Sequence, residues 1–220
     1  DSFKSGNCMV VADGSGSMFS PVGSGSATAW SVAHSLAIYF SERMKGDLRN
    51  KYITFSGHPE FVNFPEGATL REKLRIAQRH SECANTNVEA VFDLLLDTAI
   101  REKLAQADLP ENVLIISDME FDSCAYCNSS RYEVSRTLFE EISDKWSQHG
   151  FKLPRLVFWN VNSRTNAIPV RENELGVALV SGFSQNVADM VMSGKLDPFE
   201  ALLDTLHKER YAPLWAIQPK

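Results

Sequence analysis

The sequence predicts an α/β fold, doubly wound around a mostly parallel sheet, with one antiparallel edge strand and helices on both faces. Three observations predict it. Four short apolar runs, residues 8–12, 113–116, 156–161 and 177–180, lead into polar or small residues, three of them into Asp13, Ser117 and Ser181. Runs that are apolar throughout belong to strands buried on both faces. Helical stripes fall between them, and strands that alternate with helices imply right-handed crossovers and a parallel sheet. Finally, residues 52–55 and 61–64 are joined only through Ser56, Gly57, His58 and Pro59, a link too short for a parallel crossover, so they form a hairpin.

In chain order, the first run ends at Asp13 and opens into a Gly/Ser-rich loop over residues 14–26. Ala29, Val32, Ala33, Leu36 and Phe40 then keep the spacing that buries one helix face. The hairpin supplies the antiparallel edge. Thr69 and Glu72 have capping-box spacing, in which the hydroxyl satisfies one free N–H and the carboxylate another. Val88, Val91, Phe92, Leu95 and Ala99 mark the next helix, and Val134, Leu138, Ile142 and Trp146 the one after the 113–116 strand, with Ser130 and Glu133 as its capping box. A last helix with Phe199, Leu202, Leu203 and Leu206 follows Asp197-Pro198 and is expected to pack back on the sheet.

With 220 residues, 44% of them hydrophobic, the chain is read as one domain over 1–220 with a substantial core. No apolar run approaches the ~20 residues that span a bilayer, and the first thirty residues lack the order of a signal peptide, so a soluble, cytoplasmic protein without membrane partners is expected. Because the chain begins at Asp1, it is expected to be a piece of a longer protein whose N-terminal region is missing. A net charge of −6 gives no general electrostatic reason to bind nucleic acid. The densest basic stretch, Arg71, Lys73, Arg75, Arg79 and His80, reads as a solvated helix face. Four cysteines are too few for a disulfide scaffold, so reduced thiols are expected.

Ligands of a doubly wound sheet sit beyond the C-terminal strand ends, where strand order reverses. Asp13, Ser15 and Ser17 lie two residues apart in Asp13-Gly14-Ser15-Gly16-Ser17, and a tight turn could aim all three at one spot. Their oxygens are hard ligands suited to Mg²⁺ or Mn²⁺. Ser117-Asp118 arrives at the same edge, and the loop Ala84-Asn85-Thr86-Asn87 lies between them in the topology.

Asp13-x-Ser15-x-Ser17, a loop Thr86 and a strand-end Asp118, in that order, resemble the metal-ion-dependent adhesion site of von Willebrand factor A (vWA) domains. The likeness covers essentially the whole chain. It is nearest to the intracellular branch, similar to the vWA domain of Ro ribonucleoproteins, through Thr86-Asn87, Phe92-Asp93-Leu94, the stretch from Ser117 to Asp122, Phe158-Trp159-Asn160 and Ser181-Gly182-Phe183-Ser184. The resemblance implies a site for Mg²⁺ (or Mn²⁺ or Ca²⁺) on Asp13, Ser15, Ser17, Thr86 and Asp118, with the serines bound directly and the aspartates directly or through water. It implies too a module whose ion accepts an acidic group of a protein partner or neighbouring domain. One departure is that Asp118 is followed by Met119-Glu120-Phe121-Asp122 rather than by glycine, which could shape this loop differently and bring Glu120 or Asp122 near the ion, although both are read as solvated.

Other chemistries fit less well. The third glycine of a G-x-G-x-x-G fingerprint is Phe19, no phosphate loop of the G-x-x-x-x-G-K type exists, and no serine has the G-x-S-x-G frame. A phosphoesterase using Asp13 would lack its second carboxylate, because position 15 is Ser15. The expected reading is therefore a binding protein rather than an enzyme. A metal-dependent phosphoesterase, and a structural part of a ribonucleoprotein whose missing region binds RNA, are the alternatives. His80-x-x-Cys83 and Cys124-x-x-Cys127 have Cys₃His zinc spacing, but the pairs come from different loops and are read as ordinary residues.

Overall fold

All four apolar runs form strands, and in those of residues 8–12, 113–116 and 156–161 the side chains alternate between two cores, which explains why these runs carry no polar period. The computed structural model describes residues 7–23, 25–81, 87–118, 136–162 and 177–181, together with 199, 203, 206–207 and 209–211. Strands β1 (Cys8–Asp13), β2 (Lys51–Phe55), β3 (Phe61–Asn63), β4 (Asn112–Ser117), β5 (Arg155–Asn160) and β6 (Val177–Ser181) form one sheet in the order β3-β2-β1-β4-β5-β6. All neighbours pair in parallel except β2 with β3, which is the expected hairpin at the edge.

Helices α1 (Ala29–Ser41) and α2 (Leu70–Arg79) cover one face, and α3 (Val88–Arg101) and α4 (Arg136–Gln148) cover the other. Val10, Ala12, Tyr52, Leu114, Ile116, Val157 and Trp159 belong to the first core, whereas Met9, Val11, Ile53, Val113, Ile115 and Phe158 belong to the second. Between β1 and β4 the chain changes face, so their C-terminal ends flank the point where strand order reverses. Helix starts follow the expected chemistry. Thr69 accepts from the Glu72 N–H while Glu72 accepts from that of Thr69, and Thr28 and Ser31 do the same for α1.

Two expectations change. Lys73 is not on a solvated face: its ammonium lies buried, 2.6 Å from Glu42 Oε1, under the ring of Phe64. Its aliphatic stem reaches the core side of α2, so the residue is amphipathic in place rather than merely charged. Phe199, Leu203 and Leu206, which helical spacing assigns to a buried face, are exposed by 66, 37 and 43%. The period marks an apolar stripe without specifying what covers it. The Ser130–Glu133 box lies outside the described residues.

His34 sits within the first core, stacked on Trp30 at 4.2 Å and edge-on to Tyr52, with Nδ1–H donating to the Trp30 carbonyl at 3.0 Å. Burial pushes its pKa from the ordinary 6.5 down to about 4. An unfolded chain takes up this proton near pH 6.5, and the folded protein refuses it until about 4. The contribution to stability is therefore complete above pH 6.5 and is lost as pH falls through about 4. Urea unfolding across this window should lose up to about 3 kcal/mol on account of His34. His34→Phe, which keeps a ring in the stack, should flatten that dependence relative to the native protein, and an unchanged slope would show that other groups carry it.

Candidate functional site

Asp13 ends β1, and Ser117 ends β4 with Asp118 directly after it, brought to the same level by parallel pairing of Val11 with Ile115 and Ala12 with Ile116. Both aspartates are almost fully buried, at 2 and 1% exposure. The Ser117 hydroxyl donates to Asp13 Oδ2 at 2.6 Å, and the Ser15 backbone N–H donates to Asp13 Oδ1 at 2.8 Å. After Ser15 the chain turns into a 3-10 helix (Gly16–Phe19), which places the Ser15 and Ser17 hydroxyls 3.1 Å apart. Met18, in the same turn, is wholly buried and accepts the Asp118 N–H on its sulfur at 3.2 Å. The two loops are thus tied twice, through Ser117 to Asp13 and through Asp118 to Met18.

The third loop is tied as well. Asn160, at the end of β5, pairs with Ser117, and the Asn162 side chain donates to the Pro21 carbonyl at 3.3 Å. The loop after β1 is closed by the Pro21–Thr28 bridge and by the Val22 N–H donating to Ala27 at 2.8 Å.

Burial pushes the Asp13 carboxyl above its ordinary pKa, the hydrogen bonds from Ser117 and Ser15 pull it back, and the charge of Asp118 adds to the rise. No Lys, Arg or His forms an ion pair with Asp13 among the described residues. A desolvated carboxylate beside a second one favours a bound cation as compensation. The donors are carboxylate and hydroxyl oxygens, a hard set that fits a divalent cation of the Mg²⁺ type. Among the described residues no group of three or more His, Cys, Asp or Glu is placed to hold a metal ion, so the hard donors at this sheet end are two carboxylates and serine hydroxyls.

Of the five positions expected to hold the cation, the structure brings together Asp13, Ser15, Ser17 and Asp118 at one sheet end. Thr86 lies outside the described residues, as do Glu120 and Asp122. Of the zinc-spaced residues, His80 hydrogen-bonds to Glu60 at 2.6 Å, and Cys83, Cys124 and Cys127 lie outside the described residues. Sequence reasoning missed Met18, which reads as an ordinary core residue, and Asn162. It singled out Ser117 only as a strand end.

A family model described as "Domain of unknown function (DUF7788)" matches residues 7–211. The chain is 30% identical over 208 residues to "Uncharacterized protein L728" of Acanthamoeba polyphaga mimivirus, a match covering 94% of this chain and 34% of that protein. The solved Ro (RSR) protein of Deinococcus radiodurans resembles it with a TM-score of 0.52 at 18% identity, over 89% of this chain and 36% of that one. The SpRpn10 VWA domain aligns at a TM-score of 0.42 and 13% identity, over 84% of this chain and 92% of that one. The chain therefore spans about a third of the length of its curated relative and of the Ro protein. The fold is vWA-like, as the sequence motifs imply.

Ser117→Ala should leave Asp13 one hydrogen bond short in a buried setting and lower the unfolding free energy by about 1–3 kcal/mol. Urea denaturation against the native protein reads this directly, and a change within error would mean that Asp13 is satisfied in another way.

Proposed function

The chain belongs to the family described as domain of unknown function DUF7788, and from that premise we propose that it is a divalent-cation-dependent protein-interaction module rather than an enzyme. In this reading Asp13, Ser15, Ser17, Thr86 and Asp118 hold Mg²⁺ or a similar ion, and the partner offers an acidic group. The observation that carries it is the meeting of two buried aspartates with two serine hydroxyls at the strand-order reversal.

When bound, the cation supplies an electrophilic position that a carboxylate can fill. The chain's own residues do the rest. Ser117 and the Ser15 N–H hold Asp13 by both oxygens, which restricts its rotation. Met18 fixes the backbone at Asp118, so the two loops keep their spacing without a ligand. Uncharged hydroxyls from Ser15 and Ser17 leave more of an ion's charge for an incoming acid than further carboxylates would.

A binding role is supported by how the two histidines considered as bases are engaged. Among the described residues, His34 is walled in by Trp30 and Tyr52, and His80 is held by Glu60. Catalysis needs a positioned nucleophile and a base poised near neutral pH. Among the described residues no helix is long and apolar enough to cross a membrane.

Isothermal calorimetry should find one Mg²⁺ or Mn²⁺ per chain, lost in Asp13→Ala; binding that survives this change places the ion elsewhere. Recovery of partners by the immobilised protein should fall when Mg²⁺ is replaced by chelator, and again in Thr86→Ala. Metal-dependent turnover of a phosphoester, abolished by Asp13→Asn, would instead make the protein an enzyme.

A further inference from the structure

Helix α2, with sequence LREKLRIAQR, carries Arg71, Lys73, Arg75 and Arg79 against a single acid, Glu72, in a chain whose net charge is −6. Part of that charge is already engaged. Lys73 is buried against Glu42, and Glu72 spends its carboxylate on the Thr69 backbone N–H and hydroxyl at 2.8 and 2.7 Å. The nearby Glu60 is taken by His80. Arg71, Arg75 and Arg79 remain, all exposed, and none is within ion-pair distance of an acid among the described residues, although the charge of Arg75 acts on Glu72 from further off. Spaced four apart, they form one inclined stripe roughly 12 Å long.

The stripe leads toward the candidate site. Ser81, two residues beyond Arg79, accepts the Trp30 indole N–H at 2.7 Å, and Trp30 stacks at 5.8 Å on Phe19, two residues after Ser17. Phe19 itself is 48% exposed, although it is held flat against Trp30. A continuous series of contacts therefore runs from the end of the arginine helix through Ser81, Trp30 and Phe19 to the turn that carries Ser15 and Ser17.

We propose that the partner is an acidic peptide segment that lies along Arg71, Arg75 and Arg79, crosses Phe19 with an apolar side chain, and ends with a carboxylate at the Asp13–Asp118 site. The terminal contact rests on the cation-dependent reading above, whereas the stripe stands on its own residues. Guanidinium groups match carboxylates with paired hydrogen bonds, and three of them in line recognise a run of acids better than one. An extended peptide rises about 3.3 Å per residue, so roughly four residues cover the stripe. A net charge of −6 opposes any anion at long range, most of all a polyanion as long as a nucleic acid, whereas a short acidic segment places few charges outside the local basic strip.

The test is fluorescence anisotropy with a fluorescein-labelled peptide of alternating glutamate and serine containing one internal phenylalanine, in Mg²⁺ and in chelator. Arg75→Glu with Arg79→Glu should weaken binding about tenfold or more and flatten its salt dependence, with Mg²⁺ calorimetry and the thermal melt unchanged. Arg75→Gln with Arg79→Gln should give a smaller loss in the same direction. No binding by the native protein, or equal binding by the charge-reversed protein, overturns the proposal. If chelator or Asp13→Ala abolishes binding while the arginine variants do not, the cation reading stands and the stripe fails. Loss in the arginine variants alone, insensitive to chelator, supports the stripe and sinks the cation reading. Stronger binding of a labelled single-stranded RNA that displaces the peptide would replace the acidic peptide by a nucleic acid.

Discussion

Parallel pairing of β1 with β4, from Cys8 opposite Asn112 to Ala12 opposite Ile116, decides where every side chain of the candidate site stands. One residue further along, Asp13 and Ser117 meet in a hydrogen bond of 2.6 Å, and only there does the chain of β1 leave the sheet. A slip of one residue would exchange Val10 and Ala12 for Met9 and Val11 between the two cores and carry Asp13 away from Ser117. Because both faces of the strand are packed, such a slip is costly. The apolar packing of the sheet is thus what holds two acids together at its end, against their mutual repulsion.

The same packing governs how much could be read in advance. Strands buried on both faces must be apolar throughout, so three of them stand out as uninterrupted runs, and a capping box such as Thr69–Glu72 is a local device with local spacing. Asp13, Ser15 and Ser17 were legible for a related reason: they follow such a run within a short glycine-rich turn. Contacts between distant segments leave no such trace. Met18 looks like any core methionine until its sulfur is seen to accept the Asp118 N–H, and Lys73 looks like a surface charge until Glu42, 31 residues away, is found beside it. The exposed Phe199, Leu203 and Leu206 make the converse point, since periodicity specifies a face but not its cover.

Rigidity around the first loop comes from rings as much as from hydrogen bonds. Phe19 stacks on Trp30, Trp30 on His34, His34 meets Tyr52 edge-on, and Tyr52 stacks on Phe64, linking the candidate site to the β2–β3 hairpin. Each such contact contributes about 0.5–1.5 kcal/mol beyond area burial. Trp30 is pinned further by Ser81, so the ring nearest the site cannot drift without disturbing the end of α2. A loop held this way keeps its shape before any ligand arrives, and less ordering entropy is left to be lost on binding.

The Ser117–Asp13 hydrogen bond also spans 104 residues of sequence. Loop-closure entropy must be met before that contact returns anything, and a parallel sheet whose central pair is so distant has high contact order. The aspartates therefore come together only after α1, the hairpin, α2 and α3 have been threaded between them in sequence. No shorter fragment contains both, and a nascent chain carries no such site until β4 has emerged and paired.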